Sequence, residues 1–126
     1  MAYSATVTVT HIGGRDYHIL IQETDAAAAS EATISGLPVK GRLLTQLADK
    51  TSGDAATIDP ILTTSTGSTA STHVVLENDT AAATISNLAD PAVPYYSSNG
   101  TLFHKSNSAS GTNNAITTVY FLQAGW

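Results

Sequence analysis

The chain contains no cysteine. Disulfides and thiolate metal sites are therefore excluded, and packing and hydrogen bonds must hold the fold. Charge is also scarce. Asp, Glu, Lys and Arg make up 12% of the 126 residues, against roughly a quarter in ordinary soluble domains. Only five residues are Lys or Arg, and the net charge is −5. Those cations, Arg15, Lys40, Arg42, Lys50 and Lys105, are scattered. A nucleic-acid partner is not expected, because phosphate neutralisation needs clustered cations. No apolar run approaches the ~20 residues that carry a helix across a bilayer, so no membrane partner is expected. Aromatic residues are 6%, with a single Trp, which leaves little from which to build the sugar platforms of a glycosidase cleft. The opening MAYSATVTVTH has neither the basic stretch nor the apolar core of an export signal. The expectation is a protein made in a reducing cytoplasm.

What is abundant is small. Ala, Thr and Ser supply about two-fifths of the chain. With so few large apolar side chains, a thin sheet-based body is expected rather than a wide globule. The length fits one domain over 1–126. ATVTVTH alternates strictly and is rich in β-branched residues, the pattern of a half-buried strand. GGRD at 13–16 supplies turn residues, and YHILIQE returns as the second strand of a hairpin. Tyr17, Ile19 and Ile21 share one face of it; His18, Leu20 and Gln22 share the other.

A phrase is written twice. HILIQETDAAAASEATISGLPV begins at His18, and HVVLENDTAAATISNLADPAV begins at His73. Each has a His, aliphatic residues, an acidic turn, an Ala run, ATIS, Leu and Pro. A strand–turn–strand unit is expected in both, with a strand over 31–35 in the first. Two copies are too few for a solenoid. KGRLLTQLADKTSGD admits either strand or helix, since Leu43, Leu44 and Leu47 are spaced as on a helix. Pro60 demotes ATIDPILTT to an edge or extended segment. YYSSNGTLF reads as a hairpin around Asn99-Gly100. AITTVYFLQ is the most hydrophobic strand. The N-terminal stretch 1–6 reads as an extended arm, and 63–72 and 105–115 read as mobile polar loops. The fold class is an all-β, antiparallel sandwich or barrel with at most one short helix.

No nucleophile elbow, HExxH helix, P-loop or dinucleotide fingerprint occurs. Of the four histidines, His11, His18, His73 and His104, the first three could approach one another as zinc ligands, but all four sit at strand ends or among aliphatics, as partly exposed strand histidines do. The acidic turns Glu23–Asp25 and Glu77–Asp79 lack the alternating oxygens of a calcium loop and read as turn chemistry. No catalytic residue, metal or cofactor is assigned, and enzyme activity is not expected. Aromatic residues gather late in the chain, and aromatics anchor interfaces. Tyr95, Tyr96, Tyr120, Phe121 and Trp126 are therefore the interface candidates. Tyr120 and Phe121 point to opposite faces of one strand, so burial against a second subunit is expected on one of them.

MAYSATVTVTHIGG, ETDAAAASEATISGLP, PYYSSNGTLFHKS and AITTVYFLQAGW together resemble small virion structural proteins of tailed bacteriophages. The resemblance implies a head decoration or cement protein, assembled in the bacterial cytoplasm and resident in the virion. Its partners would be the major capsid protein and its own copies, most simply as a trimer. Other virion parts (tail tube, tail-completion or fibre protein) and a carbohydrate-binding β module are the alternatives.

Overall fold

The computed structural model describes residues 3–27, 30–53, 55, 57–66, 73–78, 80–108 and 113–125. Among them are nine strands and no helix. These are β1 Ser4–Gly13, β2 Asp16–Thr24, β3 Glu31–Ile34, β4 Lys40–Ser52, β5 Ile61–Thr63, β6 Val74–Glu77, β7 Thr84–Tyr96, β8 Leu102–Lys105 and β9 Ala115–Ala124. They form a five-stranded sheet, ordered β1-β2-β9-β4-β7, and a four-stranded sheet, ordered β3-β8-β5-β6. Every strand pairing is antiparallel. The expected all-β sandwich is the observed architecture. Residues of both sheets share one core, in which Ile19, Ile21, Leu43, Tyr120 and Leu122 of the first meet Ile34, Leu62 and Leu102 of the second.

Alternation explains most of this. β9 is buried at every second residue, through Ile116, Thr118, Tyr120 and Leu122. β1 and β2 pair from Ser4↔Thr24 to Gly13↔Asp16, as the GGRD turn predicts. The stretch 40–52, which admitted a helix, is a central strand. A bulge between Leu43 and Thr45 adds one residue, so that Leu43 and Gln46 both reach the interior. The helical spacing of its leucines is thus the trace of a bulged strand.

Other local expectations change or sharpen. The Asn99-Gly100 turn does not close a hairpin: β7 lies in the larger sheet and β8 in the smaller, so the turn carries the chain between layers. β5, after Pro60, is not an edge strand but sits between β8 and β6; Pro60 precedes the strand and removes none of its ladder bonds. The doubled phrase is strand–turn–strand in both copies, yet the first passes from the larger sheet to the smaller and the second passes back. Ile34 and Ile85 of the two ATIS segments are both buried, but in different clusters. Ser4–Thr6 of the expected arm pair with Gln22–Thr24. In the 105–115 segment, Ser106, Ser108 and Asn114 are buried; residues 109–112, the 67–72 part of the other loop and Ala28 of the Ala run lie outside the described residues.

Gly100 fixes the inter-sheet turn. Its φ is +63°, and a Cβ there would sit 2.3 Å from the Leu37 carbonyl oxygen. The Leu37 amide donates to the Gly100 carbonyl at 3.0 Å, so the two backbones cannot separate without losing that bond. Gly100→Ala is expected to cost at least about 2 kcal/mol, since the left-handed conformation alone costs ~1–2 kcal/mol for a residue with a Cβ. A midpoint shift in urea denaturation measures it.

Candidate functional site

Ionisable and hydroxyl side chains converge between the sheets. Parity brings them there. Glu23 continues the inward face of Ile19 and Ile21 on β2, and His104 and Ser106 continue that of Leu102 on and just after β8. Tyr120 comes from β9 and Gln46 from β4. All five are buried.

The hydrogen bonds form one directed chain. Asn87 Nδ2 donates to Gln46 Oε1 at 3.2 Å, and Gln46 Nε2 donates to the Tyr120 hydroxyl at 3.0 Å. The hydroxyl lies 2.6 Å from His104 Nδ1. His104 Nε2 lies 2.9 Å from Ser106 Oγ and 3.3 Å from Glu23 Oε1. Ser106 donates to Glu23 Oε1 at 2.5 Å, and Tyr3 donates to Glu23 Oε2 at 2.7 Å. A proton on His104 Nε2 points toward Ser106 and Glu23, so the donors from Tyr3, Ser106 and His104 all run toward the Glu23 carboxylate.

Electrostatics fit that direction. Burial pushes the Glu23 carboxyl up. The hydrogen bond and charge interaction with His104, followed by the hydrogen bonds from Ser106 and Tyr3, outweigh it and hold the group below the ordinary carboxylate value. Burial, with Glu23 beside it, raises the Tyr3 phenol, and burial raises that of Tyr120. Both remain donors. Among the described residues no buried side-chain nitrogen or oxygen lacks a hydrogen-bond partner.

Glu, His and Ser also make a nucleophilic triad elsewhere, but not in this geometry. A triad needs the carboxylate on one ring nitrogen and the serine on the other. Here both meet Nε2, and Nδ1 is taken by Tyr120. His104 is 0% exposed and Ser106 1%, so a substrate has no approach. The network is a structural element of the core.

From the sequence, Glu23 is expected as a turn acid and His104 as a partly exposed strand histidine. Both are buried. The signal was present in the alternation, since each lies two residues beyond an aliphatic that points inward. The other histidines do not gather. His11 stacks on Tyr17, with ring centroids 4.5 Å apart; His18 meets Phe121 edge-on at 5.1 Å. His11 and His18 lie on opposite faces of the β1–β2 hairpin, and His73 is exposed beside the smaller sheet. Among the described residues no three His, Asp or Glu side chains could share a metal ion.

The interface candidates divide. Tyr120 is fully buried and Tyr95 nearly so, its hydroxyl donating to the Pro38 carbonyl at 2.8 Å. Burial pushes the Tyr95 phenol up to about 12. Both are committed to the chain's own interior. Tyr96 is 56% exposed and lines a polar depression of about 280 Å³ with Phe103 and the Ser97–Thr101 turn. Phe121 is half-buried on the outer face of the larger sheet. Trp126 lies outside the described residues.

That outer face is the open surface. Leu20, Val119 and Leu47 stand in register across β2, β9 and β4. Phe121 and Leu88 flank them one row along, and threonines fill the edge strand β1. Leu47 is 37% and Leu88 73% exposed. Beside Phe121, the bulge residue Leu44, with Ile12, borders a depression of about 350 Å³.

No protein-family model, curated protein or solved structure matches this chain.

Proposed function

We propose that the chain is a non-enzymatic virion structural protein of a tailed bacteriophage, a head decoration protein that binds the major capsid protein from outside and stabilises the shell. The observation that supports this reading is a contrast. The reactive side chains are sealed in the core, whereas a broad sheet face of small and aliphatic residues is open. Cementing needs a rigid body and neutral contact surfaces, and it needs no catalytic centre. Apolar faces of this size on a soluble protein mark sites that meet other protein. The protein would be assembled in the bacterial cytoplasm and carried on the virion.

The test is co-sedimentation with shells of the major capsid protein encoded in the same genome. Saturable binding and a higher shell melting temperature are expected. Failure to bind shells overturns the reading, and rings of six or tubes in negative stain would move the protein to the tail. A carbohydrate-binding module is the second reading. Tyr96, exposed beside a Ser- and Asn-lined depression, favours it, because sugars stack on open aromatics. A glycan array on which binding is lost in Tyr96→Ala would establish it.

A further inference from the structure

We infer that the outer face of the five-stranded sheet pairs with the same face of a second copy, about a twofold axis running along β9. The sheet has the symmetry for it. β9 is the central strand, with β2 and β4 on either side and β1 and β7 at the edges. Both neighbours run antiparallel to β9, and both edge strands antiparallel to those neighbours. A twofold axis along β9 therefore lays β2 of one copy on β4 of the other, with chain directions matched.

The registers then decide whether the side chains agree. Leu20 and Leu47 both stand level with Val119, so Leu20 meets the other copy's Leu47. Val119 meets its own counterpart on the axis. One row along, Phe121 does the same. Two rows from Val119, Asp16 and Arg42 flank Gln123 from opposite sides. All three point outward, because Tyr17, Leu122 and Leu43 beside them belong to the core. Within one chain Asp16 and Arg42 are two strand spacings apart, about 10 Å. Across the axis each faces the other, giving two symmetric ion pairs. At the far end of the face, Gln22 and Asp49 flank Thr117, so an amide meets a carboxylate. No like charges are opposed. A face that is complementary to itself is what an isologous interface requires.

The size is adequate for a modest dimer. Five strands about 4.8 Å apart and four outward rows about 6.6 Å apart cover on the order of 600 Å² per copy. That is about 1,200 Å² in total, the lower end for specific interfaces. A reversible dimer in the micromolar range is the expected solution state, in place of the trimer implied by resemblance. Sheets packed face to face through such residues form an aligned sandwich.

Sedimentation velocity across the micromolar range tests the pairing. The wild type should pass from monomer to dimer. Val119→Lys sets two ammonium groups against each other on the axis and should weaken the dimer at least about tenfold. Asp16→Arg faces Arg42 of the other copy and should weaken it as well; Asp16→Arg with Arg42→Asp should restore it. Circular dichroism of each variant confirms that the fold is kept. Three results overturn the pairing: a monomer or trimer throughout, a dimer indifferent to Val119→Lys, or a charge swap that rescues nothing. The same face supports the decoration reading, so shells and a second copy would compete for it; shell binding is therefore measured separately on the wild type, where either reading can fail without the other.

Discussion

Glu23→Gln is expected to lower stability by about 2–5 kcal/mol, because it leaves buried donors unpaired at about 1–3 kcal/mol each. Three donors converge on the Glu23 carboxylate, from Tyr3, Ser106 and His104. A carboxamide offers one oxygen in place of two and turns an NH₂ group on at least one of those donors. The side chain is 2% exposed, so water cannot relieve the conflict. Urea denaturation measures the loss. Its pH dependence carries a second signature. The Glu23 carboxyl titrates lower in the folded chain than at its free value of 4.5. Its contribution is therefore complete above about pH 4.5 and is lost as pH falls through the folded-state value. Wild-type stability should fall in that acid window, and Glu23→Gln should remove this component of the fall. A variant within about 1 kcal/mol of wild type would mean that the carboxylate is not the sink of the network.

Tyr120→Phe should cost about 2–6 kcal/mol for the loss of a single oxygen. The hydroxyl is the joint between Gln46 and His104. Its removal leaves an amide donor and a ring nitrogen unpaired at 0% exposure, each worth about 1–3 kcal/mol. The ring itself remains, so no cavity of consequence opens and the denaturant slope should not change. Tyr95→Phe is the matched comparison. It removes the bond to the Pro38 carbonyl, and should cost about 1 kcal/mol. Equal losses in the two variants would show that Gln46 and His104 find new partners.

The sheet fold was legible because its strands obey period two. ATVTVTH, YHILIQE and AITTVYFLQ occupy β1, β2 and β9 as their alternation demands. What misled was local punctuation. Pro60 suggested an edge, but a proline that precedes a strand leaves the ladder intact. Asn99-Gly100 suggested a hairpin, but a tight turn specifies only a reversal of the chain, and sheet membership depends on partners far away in sequence. The leucines of β4 imitated a helix because a bulge shifts the parity of everything after it. The core network was legible in principle. Glu23 and His104 lie on inward faces set by Ile19, Ile21 and Leu102. Their charge argued for exposure, and only the meeting of β2 with β8 across the layers supplies the partners that permit burial. The outer face was half legible: Phe121 opposite Tyr120 marks an apolar outward surface, but the rows that join β2, β9 and β4 require the register.

The central place of β9 also governs when the fold can form. β2 and β4 each lie beside β9, and Asp16 must wait for Gln123. Until β9 is made, the β1–β2 hairpin and a β4–β7 pair have no strand to join them. Pairings this distant in sequence close slowly. In the interval both halves of the larger sheet carry open strand edges and uncovered leucines, which invite pairing with the wrong chain. Folding of the larger sheet thus waits on β9, and shortening β9 by a few residues would remove the seam of that sheet.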